Sequence, residues 1–387
     1  MHKKKLRIAM IGQKGIPAIY GGVERHVEEI STRLARKGHE VTVYARSYYM
    51  KENKYEEIKG KIDLGGTNIK IFPTIHSKHL DAIVHCIIAT FYVLWRRYDI
   101  VHFHALGPSL LSFFPRLFGS KTVVTVHGLD WMRSKWNKFA SYCLRIGEKT
   151  SYYFPNRTIA VSRTLKKYYD QKYNADILYI PNGNTMRVCR SPRIINTKYG
   201  LDKESYIIFV SRLVPEKGCH YLIDAFKKLN TDKKLVIVGG SSYTTHYVKT
   251  LKESAGNDPR ILFTGFLHGE ELEELFSNAY FFVLPSEMEG LPLVILEALT
   301  YERCVLASDI PENMEIIAPE GKLEFGFSFK NKDVNDLSEK MDYLLTHSKE
   351  VREASRKSVE YITENFDWDK ITNRLETLYY SLVTQEE

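Results

Sequence analysis

The chain has 387 residues, 44% of them hydrophobic and 26% charged, with a formal net charge of +8. That length is more than one hydrophobic core usually serves, so two domains are expected, and the composition excludes a disordered or fibrous chain. Cys86, Cys143, Cys189, Cys219 and Cys304 stand tens of residues apart, which is neither a zinc-ligand spacing nor a disulfide framework.

From the start, MHKKKLRIAMIG places basic residues before an apolar run. The run stops at Gly12 without a small-residue cleavage site, so it reads as a first buried strand rather than a signal peptide, and a cytoplasmic location is expected. The next segment, IGQKGIPAIYGGVERH, has Gly12, Gly15, Gly21 and Gly22 but not the GxGxxG spacing, which argues against a nicotinamide fingerprint. Gly21 and Gly22 precede a helix expected near Val23 and carrying Arg25, where backbone amides can approach a phosphate. Further on, residues 82–95 (AIVHCIIATFYVLW) are almost all apolar. This stretch falls short of the roughly 20 residues that span a bilayer, so it predicts a buried or interfacial helix, with Arg96 and Arg97 at its end.

Short Val- and Ile-rich runs alternate with helical stretches through this half: LRIAMIG, VTVYAR, IKIFP, IVHFH, TVVTVHG, TIAVS and ILYIP. Such continuous apolar runs predict a parallel sheet covered on both faces, a doubly wound α/β lobe over residues 1–180. His102 and His104 end one strand, with no third ligand at metal-binding spacing. His127 ends the next, at the carboxyl edge where doubly wound sheets bind ligands, and Asp130 follows to orient it or to meet an acceptor. This lobe is basic: residues 1–180 hold 30 Lys and Arg against 14 Asp and Glu, whereas residues 181–387 hold 25 against 33. A basic lobe suits a phosphorylated acceptor or an anionic membrane surface, and no nucleic-acid-reading motif accompanies it.

Residues 181–203, polar and carrying Pro192, Gly200 and Asp202, read as a linker. The pattern restarts over residues 204–365 with YIIFVSR, KLVIVGG, ILFTG, YFFVLPS and CVLAS, predicting a second doubly wound lobe. In VSRLVPEKG a strand ends and Arg212 and Lys217 follow, a bidentate cation and a point charge suited to a diphosphate. In PSEMEGLPLVILEAL, Glu289 precedes a helix and Glu297 lies inside it. Carboxylates accept paired hydrogen bonds from vicinal hydroxyls, as on a sugar or ribose, and the amides near Gly290, Leu291, Leu293 and Val294 form a phosphate seat. Residues 366–387 read as an amphipathic helix opened by Asp367. The DWD there follows no strand and does not read as a metal-binding DxD.

Together these segments resemble glycosyltransferase family 4, retaining enzymes of GT-B architecture, whose members carry a GG loop, a strand-end histidine, an SRL…KG loop and an E-x7-E motif. The resemblance runs from about Leu6 to Trp368. It implies two Rossmann-like domains facing across a cleft, an acceptor-binding first domain and a final helix returning to it. Glu289 would contact the transferred sugar and Glu297 the donor ribose. Arg212 and Lys217, with amides near Gly21 and Gly22, would neutralise the diphosphate, His127 would touch the sugar, and Gly265 and Phe266 would carry the base. His104, Asp130 and Arg25 are the acceptor-side candidates. The opening segment and HGLDW resemble bacterial transferases that build polysaccharides on lipid-linked acceptors, many of which have phenylalanine where this chain has Val23.

The implied reaction moves a glycosyl group from a nucleotide diphosphate sugar to an acceptor hydroxyl with retained configuration and no metal. The partners are the donor, a glycan or lipid-linked acceptor and, through the basic lobe, an anionic membrane. The competing readings are a sugar-nucleotide epimerase of the same architecture and a non-catalytic sugar-nucleotide-binding protein.

Overall fold

The computed structural model describes residues 4–19, 21–52, 54–58, 63–75, 81–133, 136–240, 245–356 and 358–384. The chain divides into two units, residues 1–182 with 368–387, and residues 183–367.

The apolar runs of the first unit become β1 (Arg7–Ile11), β2 (Glu40–Arg46), β3 (Asn68–Phe72), β4 (Ile100–His104), β5 (Lys121–Val126), β6 (Arg157–Ala160) and the two-residue β7 (Leu178–Tyr179). They form one sheet in the order β3-β2-β1-β4-β5-β6-β7, and every pairing is parallel. Ile8, Met10, Val101, Phe103, Val124 and Val126 are fully buried, as helices on both faces require. The order reverses between β1 and β4, so the ends of those strands open on the crevice where such sheets hold ligands.

Helix Trp368–Thr384 belongs to this unit. Its buried positions Trp368, Ile371, Thr372, Leu375, Leu378, Tyr379 and Leu382 follow the three-and-four spacing of one helical face. That face lies on helix Gly22–Arg36. Arg33 Nε meets Asp369 Oδ1 at 2.8 Å and His39 Nε2 meets Glu376 Oε1 at 3.0 Å. Asp369 of the DWD run is thus half of an ion pair.

The second unit repeats the plan with β8 (Tyr206–Val210), β9 (Lys234–Val238), β10 (Ile261–Gly265), β11 (Phe282–Leu284), β12 (Val305–Ser308) and β13 (Gly326–Phe329). The order is β10-β9-β8-β11-β12-β13, again all parallel, with its reversal between β8 and β11. The α/β, doubly wound class expected for both halves is the one observed. The span read as a linker contains helix Ile194–Tyr199, and Glu274 accepts from the backbone N–H groups of Ile194 and Ile195 at 2.8 and 3.1 Å. Among the described residues no helix is long and apolar enough to cross a membrane.

Candidate functional site

In the first unit the loop after β1 is tied down by carboxylates of the helix it precedes. Glu24 Oε1 accepts from the Lys14 amide at 3.1 Å, Glu28 accepts from Ala18, and Tyr49 Oη accepts from the Ile19 amide at 3.1 Å. Helix Gly22–Arg36 begins directly after Gly21. A Cβ at Gly21 would stand 2.1 Å from Glu24 Oε2, so this carboxylate folds over the first helical turn. An anion drawn to the amides of Gly21 and Gly22 would have to displace it. Arg25 lies one turn on and pairs with Glu29 at 3.2 Å.

The ends of β4 and β5 hold imidazoles. His104 Nδ1 lies 3.3 Å from His127 Nε2, and His26 approaches both rings, with centroid distances of 5.5 Å to His104 and 4.8 Å to His127. His26 Nδ1 is 2.9 Å from Asn182 Oδ1. A carbonyl oxygen only accepts, so Nδ1 carries the proton and Nε2 is a bare acceptor. No hydrogen-bond partner within the described residues reaches the buried Nε2 of either His26 or His104. His102 is spoken for: Tyr379 meets its Nδ1 at 2.6 Å and Thr125 its Nε2 at 2.7 Å. Burial lowers the pKa of His26 to about 4 and holds His102, His104 and His127 well below the ordinary histidine range, with the neighbouring histidines adding to the effect for the last three. The group is therefore neutral at physiological pH, able to exchange hydrogen bonds with hydroxyls but not to balance an anion.

Nitrogens of His26, His104 and His127 lie within 4.8 Å of one another, close enough to share a metal ion. The spacing of His102 and His104 did not reveal that third imidazole, because His26 comes from a helix some 80 residues away in sequence. Asp130 is held by Arg133 at 3.2 Å, while His127 takes His104 as its partner.

In the second unit, β8 leads into Ser211 and Arg212, then a 3-10 turn Pro215–Lys217 and helix Cys219–Phe226. The Glu287 amide donates to Glu216 O at 2.9 Å, and Tyr221 Oη donates to Glu287 Oε1 at 2.8 Å. These bonds bind the loop after β8, and the helix it opens, to the loop after β11. Lys217 and Glu289, one from each loop, form an ion pair with side chains 15% and 8% exposed. Helix Leu293–Thr300 opens four residues after Glu289. Leu293 and Val294 head it, and amides of a first turn precede the intrahelical ladder. Glu297 is half-buried one turn inside it. Gly239 N donates to Gly265 O at 2.8 Å, bringing the ends of β9 and β10 together. A Cβ on Gly240 would lie 2.8 Å from the Phe266 ring, which is 41% exposed.

Glu312, on helix Pro311–Ile317 after β12, was missed from sequence. Burial, then the charge of Glu289, raises its pKa to about 7. The folded chain holds this proton between about pH 4.5 and 7 while the unfolded chain does not, so stability falls as pH rises through that window and levels off above it. Glu312→Gln is expected to remove this slope and to stabilise the protein above pH 7 by on the order of 2 kcal/mol. Urea unfolding from pH 4.5 to 8.5 checks it; a parallel slope in the variant would exclude Glu312 as the source.

Residues 20–184 match the family model described as Glycosyltransferase Family 4, and residues 193–361 the one described as Glycosyl transferases group 1. An uncharacterized glycosyltransferase of Methanocaldococcus jannaschii is 26% identical over 97% of this chain and 98% of its own. The alpha-maltose-1-phosphate synthase of Mycolicibacterium smegmatis is 25% identical over 97% and 99%. The Anabaena HepE structure with UDP and glucose superposes with a TM-score of 0.79 at 18% identity, covering 97% of this chain and all of that one, a likeness of fold.

Proposed function

The chain belongs to the family-4-like glycosyltransferases of GT-B type, and from that premise we propose that it transfers a hexose from a nucleotide diphosphate sugar to an acceptor hydroxyl with retention of configuration. The observation that carries the reading is the Lys217–Glu289 pair, set where β8 and β11 end at the reversal of strand order. The HepE structures hold UDP and UDP-glucose, which supports a nucleotide-sugar donor here.

In this reading Arg212 and Lys217 stabilise charge developing on the departing diphosphate, together with the amides of Gly290, Leu291, Leu293 and Val294. Glu289 takes hydroxyls of the transferred sugar and Glu297 those of the ribose, while Gly265 and Phe266 carry the base. His127 exchanges hydrogen bonds with a sugar hydroxyl as a neutral imidazole. His104, Asp130 and Arg25 face the acceptor, a glycan or lipid-linked saccharide of a cell-surface polysaccharide or glycoconjugate made at the cytoplasmic side. Charge on the leaving group is met by protein cations and amides, so the proposal needs no metal.

Two measurements test it. A thermal-shift panel of nucleoside diphosphates should find one that raises the melting temperature, since a ligand specific to the native state stabilises it. Proton NMR of the product should then show the donor's anomeric configuration. An inverted product would refute retention, and an epimer formed without acceptor would refute transfer.

A further inference from the structure

Helix Asp81–Leu94 is apolar on two faces. One packs inward, with Cys86, Ala89 and Val93 buried. On the other, Ile83, Ile87, Phe91 and Trp95 recur at every fourth position and are 51, 39, 52 and 86% exposed. Helix Phe113–Leu117 packs beside it, with the Phe91 and Phe114 ring centroids 6.2 Å apart. There Phe113, Phe114, Leu117 and Phe118 are 40, 38, 61 and 67% exposed. Single exposed apolar side chains are ordinary, but a continuous face of this kind on two adjoining helices marks a surface that something covers.

The edge of this face is cationic. Arg96, Arg97 and Arg116 are exposed, and Tyr92 Oη accepts from Lys70 Nζ at 2.7 Å and from Arg96 at 2.8 Å. Between Ala82 and Leu129 the one acidic residue is Asp99, and its carboxylate is taken by the Arg7 amide at 2.7 Å and Lys4 at 3.3 Å. Two copies meeting through this face would set arginines against arginines. An anionic lipid surface complements both the apolar centre and the cationic edge. Fourteen residues of helix are about 21 Å long, too short to cross the hydrocarbon core but suited to lying in its boundary.

We propose that this face docks the first unit on a bilayer containing anionic lipid. Ile83, Ile87, Phe91, Trp95 and Leu117 enter the boundary between headgroups and acyl chains, and Lys70, Arg96, Arg97 and Arg116 pair with lipid phosphates. Tyr92, whose hydroxyl accepts from Lys70 and Arg96, sits at headgroup depth, where amphipathic rings are favoured. The inference goes beyond the transferase reading and does not depend on it, because docking is measured without turnover.

Sedimentation of the full chain with phosphatidylcholine vesicles, with and without about 30% phosphatidylglycerol, tests it. Binding is expected to the anionic vesicles and to fall at least about tenfold as salt rises from roughly 0.1 to 0.5 M. The combined variant Arg96→Glu, Arg97→Glu, Arg116→Glu should bind at least about 100-fold more weakly, and Phe91→Ser with Trp95→Ser at least about tenfold more weakly. All these side chains face solvent, and an unchanged melting temperature shows that the variants fold. No sedimentation with either vesicle, or equal binding to both, overturns the proposal. So does a dimer of the wild-type chain that Phe91→Ser with Trp95→Ser dissociates, since a second copy would then be the occupant.

Discussion

Lys217→Ala is expected to lower kcat/KM for sugar transfer by about 10³-fold, the scale on which one charge-stabilising group acts at a developing oxyanion. Stability should change far less, by about 1–3 kcal/mol for the carboxylate of Glu289 left without its cation. Glu289→Gln keeps the volume and one hydrogen-bonding oxygen and removes the charge, and a loss of about 10²-fold is expected for it. The double variant Lys217→Ala, Glu289→Gln separates the two roles. With neither charge present, no ion is stranded, so most of the stability should return while transfer stays low. If activity returned with the melting temperature, the pair would be a structural tie between the loops after β8 and β11 and not part of the donor site.

Much of this was legible because the signals are local. Strands buried on both faces read as unbroken apolar runs, so β1, β4, β5, β8 and β11 could be placed, and with them the residues at their carboxyl ends. Lys217 and Glu289 could be named separately, since each follows a strand. Their pairing could not, because it depends on which strands are neighbours: β8 meets β11 although two strands intervene in sequence. The same limit hid His26. It lies on the face of helix Gly22–Arg36 turned toward Asn182, and only the fold brings it to His104 and His127. Glu312 escaped for a different reason. Its raised pKa comes from burial and the nearby Glu289, neither of which PENMEII announces. β13 was missed because GFSF is short and begins with glycine, a poor strand former. In residues 82–95 apolar content was plain, but which side chains would face solvent required the helix to be set on its sheet.

Gly218→Ala is expected to cost roughly 3 kcal/mol, combining a left-handed backbone conformation with a collision. Gly218 has φ +69°, and a Cβ there would lie 1.9 Å from Pro285 O and 2.9 Å from its carbonyl carbon. These are backbone atoms of the segment that leads to Glu289, so relief requires moving one loop away from the other. For a unit of this size the melting temperature should fall by roughly 6–12 °C. The shift would also separate Lys217, the preceding residue, from Glu289, and a displacement near 1 Å can reduce turnover by about 10²-fold. Gly256→Ala supplies the comparison. Gly256 has φ +61°, with its nearest atom, Glu253 O, 4.0 Å from the added Cβ, so that variant bears backbone strain of about 1–2 kcal/mol and no collision. Calorimetry and initial rates on both variants check the argument. Equal losses of stability, or full activity in Gly218→Ala, would mean that the contact with Pro285 does not position the Lys217–Glu289 pair.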